Sequence, residues 1–490
     1  MPAKRSLTAA IVLLLVAAVP AQATGFPTMT IADDIQPGTG GSVPLWSAGR
    51  LGDYLYTAAN DGVNGYELWR TNGITSTLMA DINATSDSYP SGFTALGDWL
   101  YFSADNATEG RELWRTNGTT TTLFRDINTT GSGNSEPYGF TVLGDWLYFG
   151  ATQGAADTEL WRTNGVSTSR VADIRNGGDG SSPSGFTAFK GWLYFMADDG
   201  THGVELWRTS GTSTQLVDDI DSYAPDGSNS YPSNFTPLGD WLYFQASDGI
   251  NGAELWRTNG TSTAMVADIN TLGGTSSDAS SFTQLGDWLY FSALDSTSGV
   301  ELWRTNGTTT ARVADINVGA PDSFPGDFER LGNWLYFRAN DGTSGPELWR
   351  TNGTSTTRVA DINPTGTDGA YPYGLTALGD YIYFDANDGT ISKLWRVNAE
   401  GTVEPSSPVG DNVFFGCMCD YPIITLDGRL FAQMYTDASG FEFIYFDEPT
   451  FKLPATNRDG SAWSTALVLL AAALAAAGAS VHLRTGANAR

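Results

Sequence analysis

The sequence is poor in the residues that make disulfides and histidine-based sites. Cys417 and Cys419 are the only cysteines among 490 residues. Two cysteines are too few for a disulfide scaffold, so core packing must stabilise the fold. Their spacing predicts a local disulfide or two buried thiols rather than a metal site, which needs further ligands nearby. The only histidines are His202, in one repeat turn, and His482, at the C-terminal apolar segment, so no histidine-based triad, dyad or two-histidine metal site is expected.

Positive charge is also scarce. The chain has 26 Lys and Arg residues against 54 Asp and Glu residues, a formal net charge of −28. This field repels phosphates and attracts cations. The negative charge therefore excludes nucleic acid as a partner. Calcium remains a possible ligand, although the sequence does not require a cofactor.

Long apolar runs are confined to the two ends of the chain. Near the N-terminus, two basic residues precede an apolar run over about 9–19 and the sequence Ala21-Gln22-Ala23. This order predicts a secretory signal peptide over residues 1–23. A buried first helix is the alternative.

Residues 463–483 are nearly free of charge and are followed by Arg484 and Arg490. Their length predicts a transmembrane helix, with 451–462 as a stalk and 484–490 as a short cytoplasmic tail. Two alternatives remain. The segment Leu453-Pro454-Ala455-Thr456-Asn457 resembles a sortase sorting signal, with Asn457 in place of Gly, and the small residues Gly460, Ser461 and Ala462 are compatible with a glycolipid anchor. Each reading places an exported body at the cell surface.

The dominant feature of the sequence is a tandem repeat. Tryptophan between leucine and arginine recurs at intervals of 45 to 49 residues, at Trp69, Trp114, Trp161, Trp207, Trp256, Trp303, Trp349 and Trp395. A fixed period of this size indicates repeated supersecondary units that must stack on their neighbours to bury their apolar faces.

Each repeat predicts four short strands. In one unit, Trp241 to Phe244 and Glu254 to Arg257 are strand-like, and the Asn259-Gly260 turn predicts a hairpin to a third strand over 264–269. Residues 281–284 form the fourth. Four strands per period and no helical periodicity predict an all-β closed β-propeller of eight or nine four-stranded blades over residues 24–450.

The ends of the repeat region complement each other. Residues 30–35 match a third strand with nothing before it, whereas 426–431 and 441–446 match first and second strands with nothing after them. We therefore expect the N-terminal strand to complete the C-terminal blade, which removes exposed sheet edges.

The repeated motif, Glu112-Leu-Trp-Arg-Thr-Asn-Gly-Thr119 in one copy, resembles the ELWxxDGT-repeat family of exported tandem-repeat proteins. Asn stands here where that family has Asp. The resemblance covers about residues 30–450 and implies an exported repeat array. It implies no particular activity.

Function is expected where the repeats differ, in the loops that connect them. Several of these loops place an aromatic residue beside proline, and such rings can stack on sugars or anchor a protein partner. The candidate binding residues are Tyr89, Tyr138, Tyr231, Phe324 and Tyr371. The alternative is that each ring packs against its own loop.

Two further groups of residues are candidates for ligands or modification. Aspartates before glycine in a turn are weak calcium candidates, because they lack the spacing of a dedicated calcium loop; they are Asp61, Asp199, Asp248, Asp341 and Asp388. Asparagines in N-x-S/T sequons are candidates for N-glycosylation; they are Asn83, Asn106, Asn117, Asn128, Asn234, Asn259, Asn306 and Asn352.

These patterns favour a non-enzymatic surface propeller that binds an extracellular glycan or protein, or mediates adhesion, with no catalytic residues. One alternative is a secreted carbohydrate-active hydrolase or lyase with acidic residues in the central channel. Another is a structural coat protein. The sequence cannot select a carboxylate pair from more than fifty acids.

Overall fold

In a computed structural model, the described residues are 29–31, 35–36, 42, 47–130, 133–223, 227–365, 368–406, 424–426, 429–436 and 440–447. Every regular element in these ranges is a β-strand. No helix that could cross a membrane is found in this part of the chain. The predicted signal peptide (1–23), stalk (451–462), apolar helix (463–483) and tail (484–490), like Cys417 and Cys419, lie outside the described residues.

Eight four-stranded antiparallel sheets follow one another along the chain, which supports the predicted propeller-like blades. The first two are β2 (Ala48–Leu51), β3 (Tyr54–Asn60), β4 (Tyr66–Thr71) and β5 (Ser76–Ala80), then β6 (Ser91–Leu96), β7 (Trp99–Asp105), β8 (Arg111–Thr116) and β9 (Thr121–Arg125). The third and fourth are β10 (Tyr138–Leu143), β11 (Trp146–Gln153), β12 (Asp157–Thr163) and β13 (Thr168–Arg170), then β14 (Ser184–Phe189), β15 (Trp192–Asp198), β16 (Val204–Thr209) and β17 (Thr214–Asp218).

The remaining four sheets repeat this order. The fifth and sixth are β18 (Ser233–Leu238), β19 (Trp241–Ser247), β20 (Ala253–Thr258) and β21 (Thr263–Ala267), then β22 (Ser280–Leu285), β23 (Trp288–Asp295), β24 (Gly299–Thr305) and β25 (Thr310–Ala314). The seventh and eighth are β26 (Gly326–Leu331), β27 (Trp334–Asn340), β28 (Pro346–Thr351) and β29 (Thr356–Arg358), then β30 (Tyr373–Leu378), β31 (Tyr381–Asn387), β32 (Ser392–Asn398) and β33 (Val403–Pro405).

Strands from the two ends of the repeat region share one further sheet. Its order is β1 (Met29–Ile31), β36 (Gly440–Asp447), β35 (Arg429–Thr436) and β34 (Ile424–Leu426). Strand β1 is antiparallel to β36, with Ile31 opposite Ile444. The N-terminal strand therefore pairs with the C-terminal strands, as their sequences predict.

The second strand of each sheet is buried on both faces. In β19, Leu242, Tyr243 and Phe244 are at most 1% exposed. Tyr243 packs with Leu289 and Phe291 of the following sheet. Burial of such side chains stabilises a fold by about 1.5–3 kcal/mol each. Neighbouring sheets are therefore held face to face by apolar contacts, as the alternation of aromatic and aliphatic residues predicts.

The repeated arginine joins each sheet to the next. The Arg257 guanidinium lies 4.2 Å from the centre of the Trp241 ring, and its Nη1 donates a 2.8 Å hydrogen bond to the Gly307 carbonyl of the next sheet. Gly307 has φ of 82°, and a Cβ there would lie 2.2 Å from the Tyr243 hydroxyl. The Asn-Gly turn is therefore required both by the hairpin and by this close approach.

The repeated glutamate holds the long loop that leads to the next sheet. Glu254 is fully buried, and its carboxylate accepts 2.8 Å hydrogen bonds from the backbone N–H groups of Ile269 and Ser277. Burial raises the pKa of Glu254, and these hydrogen bonds oppose that rise. The motif glutamate is thus a structural loop anchor.

We expect Arg257→Met to lower the free energy of unfolding by about 1–3 kcal/mol, because it removes a charged donor and a cation–π contact. Urea unfolding measures the change. Arg125→Met, at an exposed arginine of an outer strand, is the control. Equal stability of the two variants would contradict the assigned role of Arg257.

We expect Glu254→Gln to cost about 1–3 kcal/mol, because an amide NH2 group cannot accept from both backbone N–H groups. The same unfolding measurement applies, with Glu400→Gln at an exposed turn as control. Hydrogen exchange at Ile269 and Ser277 should also accelerate, and unchanged exchange there would argue against the anchor.

Candidate functional site

The first strands of successive sheets lie side by side and form a common surface. Residues from the start of five of these strands border a cavity of about 560 Å³. Asn234, Ser281 and Asp327 border an adjoining cavity of about 370 Å³. These are open, polar depressions to which the repeats contribute different side chains at equivalent positions.

Asp327 occupies a backbone conformation that several other sheets give to glycine and two give to Asn234 and Ser281. Its φ is 54°, and the equivalent residues Gly139 and Gly374 have φ of 69° and 66°. Left-handed conformations cost most residues with a Cβ about 1–2 kcal/mol, although aspartate tolerates them better than most. The Asp327 carboxylate forms a 2.9 Å ion pair with Arg338 on β27. A charged pair thus stands where the repeat needs only a glycine.

Asp385 is a carboxyl group with a strongly raised pKa. It lies on β31 opposite Tyr373. Burial raises the pKa of Asp385 to about 8, and a hydrogen bond from the Ala386 backbone only partly opposes this rise. Its Oδ1 is buried and has no hydrogen-bond partner among the residues that the structure describes. Burial therefore favours the protonated, neutral form of the Asp385 carboxyl group.

Glu205 shows why a raised pKa alone does not mark a site. Burial raises the pKa of Glu205 to about 7. Its two oxygens nevertheless accept hydrogen bonds from Ile220, Ser230 and Asp221. Every acceptor is used inside the fold, so Glu205 is a loop anchor like the other motif glutamates.

The residue at the fifth position of each second strand varies among the repeats. These residues, which we call the fifth-position residues, are Ala58, Ser103, Gly150, Met196, Gln245, Ser292, Arg338 and Asp385. Ala58 and Ser103 line a cavity of about 460 Å³ on the loop side of the first sheets. Asp385 and Arg338, which forms the ion pair with Asp327, are also fifth-position residues. In the first two sheets this position borders a cavity.

The predicted loop aromatic residues differ in their exposure in the structure. Tyr231, Phe324 and Tyr371 are 59–61% exposed and have φ of 45–50°, so they project from strained turns. The ring of Tyr89 stacks on Tyr66 at 5.4 Å, so it packs partly against its own loop. Three of the predicted residues therefore remain candidates for contact with a ligand.

Tyr138 is a correction to this prediction. It lies inside β10, and its hydroxyl donates a 2.9 Å hydrogen bond to the Pro183 carbonyl. Its ring fills the space over Gly150, where a Cβ would lie 2.4 Å from the ring. Burial raises the pKa of Tyr138 to about 12. Tyr138 is therefore a residue of a strand rather than of a loop, and its ring also lines a cavity with Ala58 and Ser103.

The weak calcium candidates act as turn formers. Asp61 Oδ1 accepts from the backbone N–H groups of Val63 and Asn64, and its Oδ2 accepts from the Asn64 side chain. Burial raises the pKa of Asp61, but these hydrogen bonds outweigh it and leave the pKa below its usual value. Equivalent turn bonds are made at the other four aspartates, which are Asp199, Asp248, Asp341 and Asp388.

One group of three carboxylates within the described ranges does meet the spacing of a cation site. Oxygens of Asp157, Glu159 and Asp173 lie within 4.8 Å of one another. Arg170 forms ion pairs with Asp157 at 2.8 Å and with Asp173 at 3.3 Å. The arginine therefore already supplies positive charge to this cluster, which is structural.

Two of the predicted glycosylation sites are buried. Asn83 and Asn128 are 4% and 3% exposed, and the Asn128 amide donates to the carbonyls of Asn134 and Gly154. A glycan on either side chain would have to replace such contacts, so these two predictions are wrong. The others, Asn106, Asn117, Asn234, Asn259, Asn306 and Asn352, are partly or fully exposed.

No sequence model of a protein family matches the chain, and no curated protein does. Solved structures similar to it include a puromycin-hydrolysing peptidase of Mycobacterium tuberculosis, at 11% identity and a TM-score of 0.38, with 71% of this chain and 58% of that one covered. A structure from a study of two prolyl endopeptidases is 14% identical to this chain, with a TM-score of 0.39. The match covers 82% of this chain and 53% of that one. The structure of a puromycin hydrolase is 14% identical to this chain, with a TM-score of 0.34. The match covers 72% of this chain and 59% of that one.

These similar structures are hydrolytic enzymes, in contrast to the non-enzymatic adhesion protein that the sequence patterns favour. The chain spans between 53% and 59% of their length. At this level of likeness neither a substrate nor a catalytic residue can be transferred from them. Any activity of this chain must be argued from its own side chains.

We expect Asp385→Asn to change how stability depends on pH. An unfolded Asp titrates near pH 4. Because burial raises the folded-state pKa of Asp385 to about 8, the folded state binds more protons between these values, and the free energy of unfolding falls as pH rises. The variant should gain roughly 2–5 kcal/mol over the unsubstituted protein between pH 4 and pH 8. Urea unfolding across this range measures it.

Asp380→Asn, in an exposed turn of the same sheet, is the control and should show no such gain. Parallel pH profiles for Asp385→Asn and the unsubstituted protein would show that Asp385 is ionised in the fold.

Proposed function

We propose that the protein is an exported hydrolase that cleaves glycosidic bonds of an extracellular glycan. Asp385 is the proton donor and Asp327 is the second carboxylate. The observation that carries the proposal is the neutral, buried Asp385 carboxyl group with an unpartnered oxygen. Acids held protonated by burial are typical of general-acid sites.

Asp327 is the residue that we assign as the partner carboxylate. It borders the cavity on the first-strand surface and is charged and fixed by Arg338. Its strand β26 packs against β30 and β31, the strand that carries Asp385.

The chemistry needs only these two groups and water. Asp385 transfers its proton to the glycosidic oxygen as the bond to the anomeric carbon breaks. Asp327 accepts a proton from the water whose oxygen bonds to that carbon, or attacks the carbon itself before water replaces it. Atoms and charge balance in either route. Because carboxyl groups suffice, the scarcity of histidine does not exclude this reaction.

The setting of the activity is part of the proposal. Pairing of β1 with β36 supports a closed propeller in which the first strands line the central channel. The N-terminal sequence supports export, and the apolar segment over 463–483 supports attachment at the cell surface. Membership of the ELWxxDGT-repeat family stays a prediction, as does the binding of calcium without a requirement for it.

We expect Asp385→Asn and Asp327→Asn each to lower hydrolysis by about 100-fold or more, because each removes a group that moves a proton. Asn is chosen at position 327 because Asn234 occupies the equivalent place in the fifth sheet. Release of reducing ends from a panel of neutral polysaccharides, with and without calcium, measures the activity.

Asp380→Asn is the matched control and should retain full activity. The activity of the unsubstituted protein should fall at alkaline pH as Asp385 ionises. Absence of hydrolysis across the panel, or full activity of Asp385→Asn, would refute the proposal.

A further inference from the structure

The cavity on the loop side of the first three sheets exists because the repeats differ there. Its fifth-position residues are Ala58 and Ser103, whereas Met196 and Gln245 occupy that position in the fourth and fifth sheets. In the third sheet, Tyr138 fills the space over Gly150 and forms one wall of the cavity. Small side chains in two adjacent sheets thus leave about 460 Å³ open, a volume within the range of ligand pockets.

Ser103 supplies an unused polar group to this cavity. It is 2% exposed, and its Oγ has no hydrogen-bond partner among the described residues. A buried hydroxyl without a partner costs free energy, and native structures rarely tolerate one without a reason. A ligand hydroxyl that bonds to Ser103 Oγ would satisfy it.

A fixed arginine and an exposed glutamate form the polar edge. Arg111 Nη1 and Nη2 donate to the carbonyls of Tyr89 and Ser88 at 2.9 and 3.2 Å, which holds the guanidinium in place. Its Nε lies 3.6 Å from Glu136 Oε2. The Arg111 side chain is 16% exposed and that of Glu136 is 56% exposed. The edge therefore offers both donors and acceptors to a polyhydroxylated ligand.

The walls are apolar rings. Pro90, Pro137 and Tyr138 line the cavity together with Ala58. Flat apolar walls beside a donor-and-acceptor edge match a sugar ring, whose faces carry C–H groups and whose rim carries hydroxyls. The Glu136 carboxylate and the net charge of −28 disfavour acidic sugars.

We infer that this cavity is a subsite for a neutral sugar unit of the substrate chain, with Ser103, Arg111 and Glu136 bonding its hydroxyls. The inference rests on the proposed glycosidase function for the meaning of the bound sugar. The binding itself is measured without turnover.

The test is calorimetric titration of the full-length chain, carrying Asp385→Asn to suppress hydrolysis, with neutral trisaccharides of glucose, galactose, mannose and xylose. At least one should bind, and Ser103→Met should weaken it about tenfold or more, about 1.4 kcal/mol. Methionine is chosen because Met196 shows that the fold accepts it at this position. Ser292→Met, the same change in the sixth sheet, is the matched control and should leave affinity unchanged.

Four outcomes of these measurements are distinguishable. No binding of any neutral trisaccharide at millimolar concentration overturns the subsite, and so does equal weakening by Ser103→Met and Ser292→Met. Loss of binding confined to Ser103→Met supports it. If the trisaccharide binds but the unsubstituted protein hydrolyses no polysaccharide, the subsite stands and the glycosidase proposal fails.

Discussion

The structure depends on the contact that each sheet makes with the next one. A single four-stranded sheet exposes the Leu, Tyr and Phe side chains of its second strand on both faces, and it buries them only between neighbours. The arginine of one repeat completes this contact, since it stacks on its own sheet's aromatic ring and donates to the turn of the following sheet, as Arg257 does to Gly307. Stability and spacing are thus properties of the array rather than of any one repeat.

This dependence explains where variation is tolerated. The Tyr, Leu, Phe, Glu and Arg positions contact the next sheet or the connecting loop, so they recur with little change. The second residue of the first strand and the fifth-position residue border open space in several sheets, as Asp327, Ala58 and Ser103 do, so these positions are free to differ. Asp327, Ser103 and Asp385 all come from these two variable positions. A repeat protein can therefore place a few chemical groups on a uniform frame without disturbing its packing.

Much of the frame was predictable from residue patterns. Alternation of aromatic and aliphatic residues predicts the buried second strands, and Asn-Gly predicts the hairpins. The unmatched end segments predict the pairing of β1 with β36. The unit boundary was not predicted, because residues 281–284 pair forward with β23 and so open a sheet instead of ending one. The role of the motif glutamate was also missed, since its partners lie 15 to 23 residues further along the chain.

The candidate site shows where sequence reasoning ends. The sequence by itself determined the repeat, the strand order and the net negative charge, because these follow from local side-chain patterns and composition. Only the tertiary structure separated Asp385 from more than fifty other acids, buried Asn83 and Asn128, placed Tyr138 inside a strand, and opened a cavity beside Ser103. The burial of a side chain, the pKa of a carboxyl group and the volume of a cavity all depend on which sheets pack together. That packing is decided by residues that are distant in the chain.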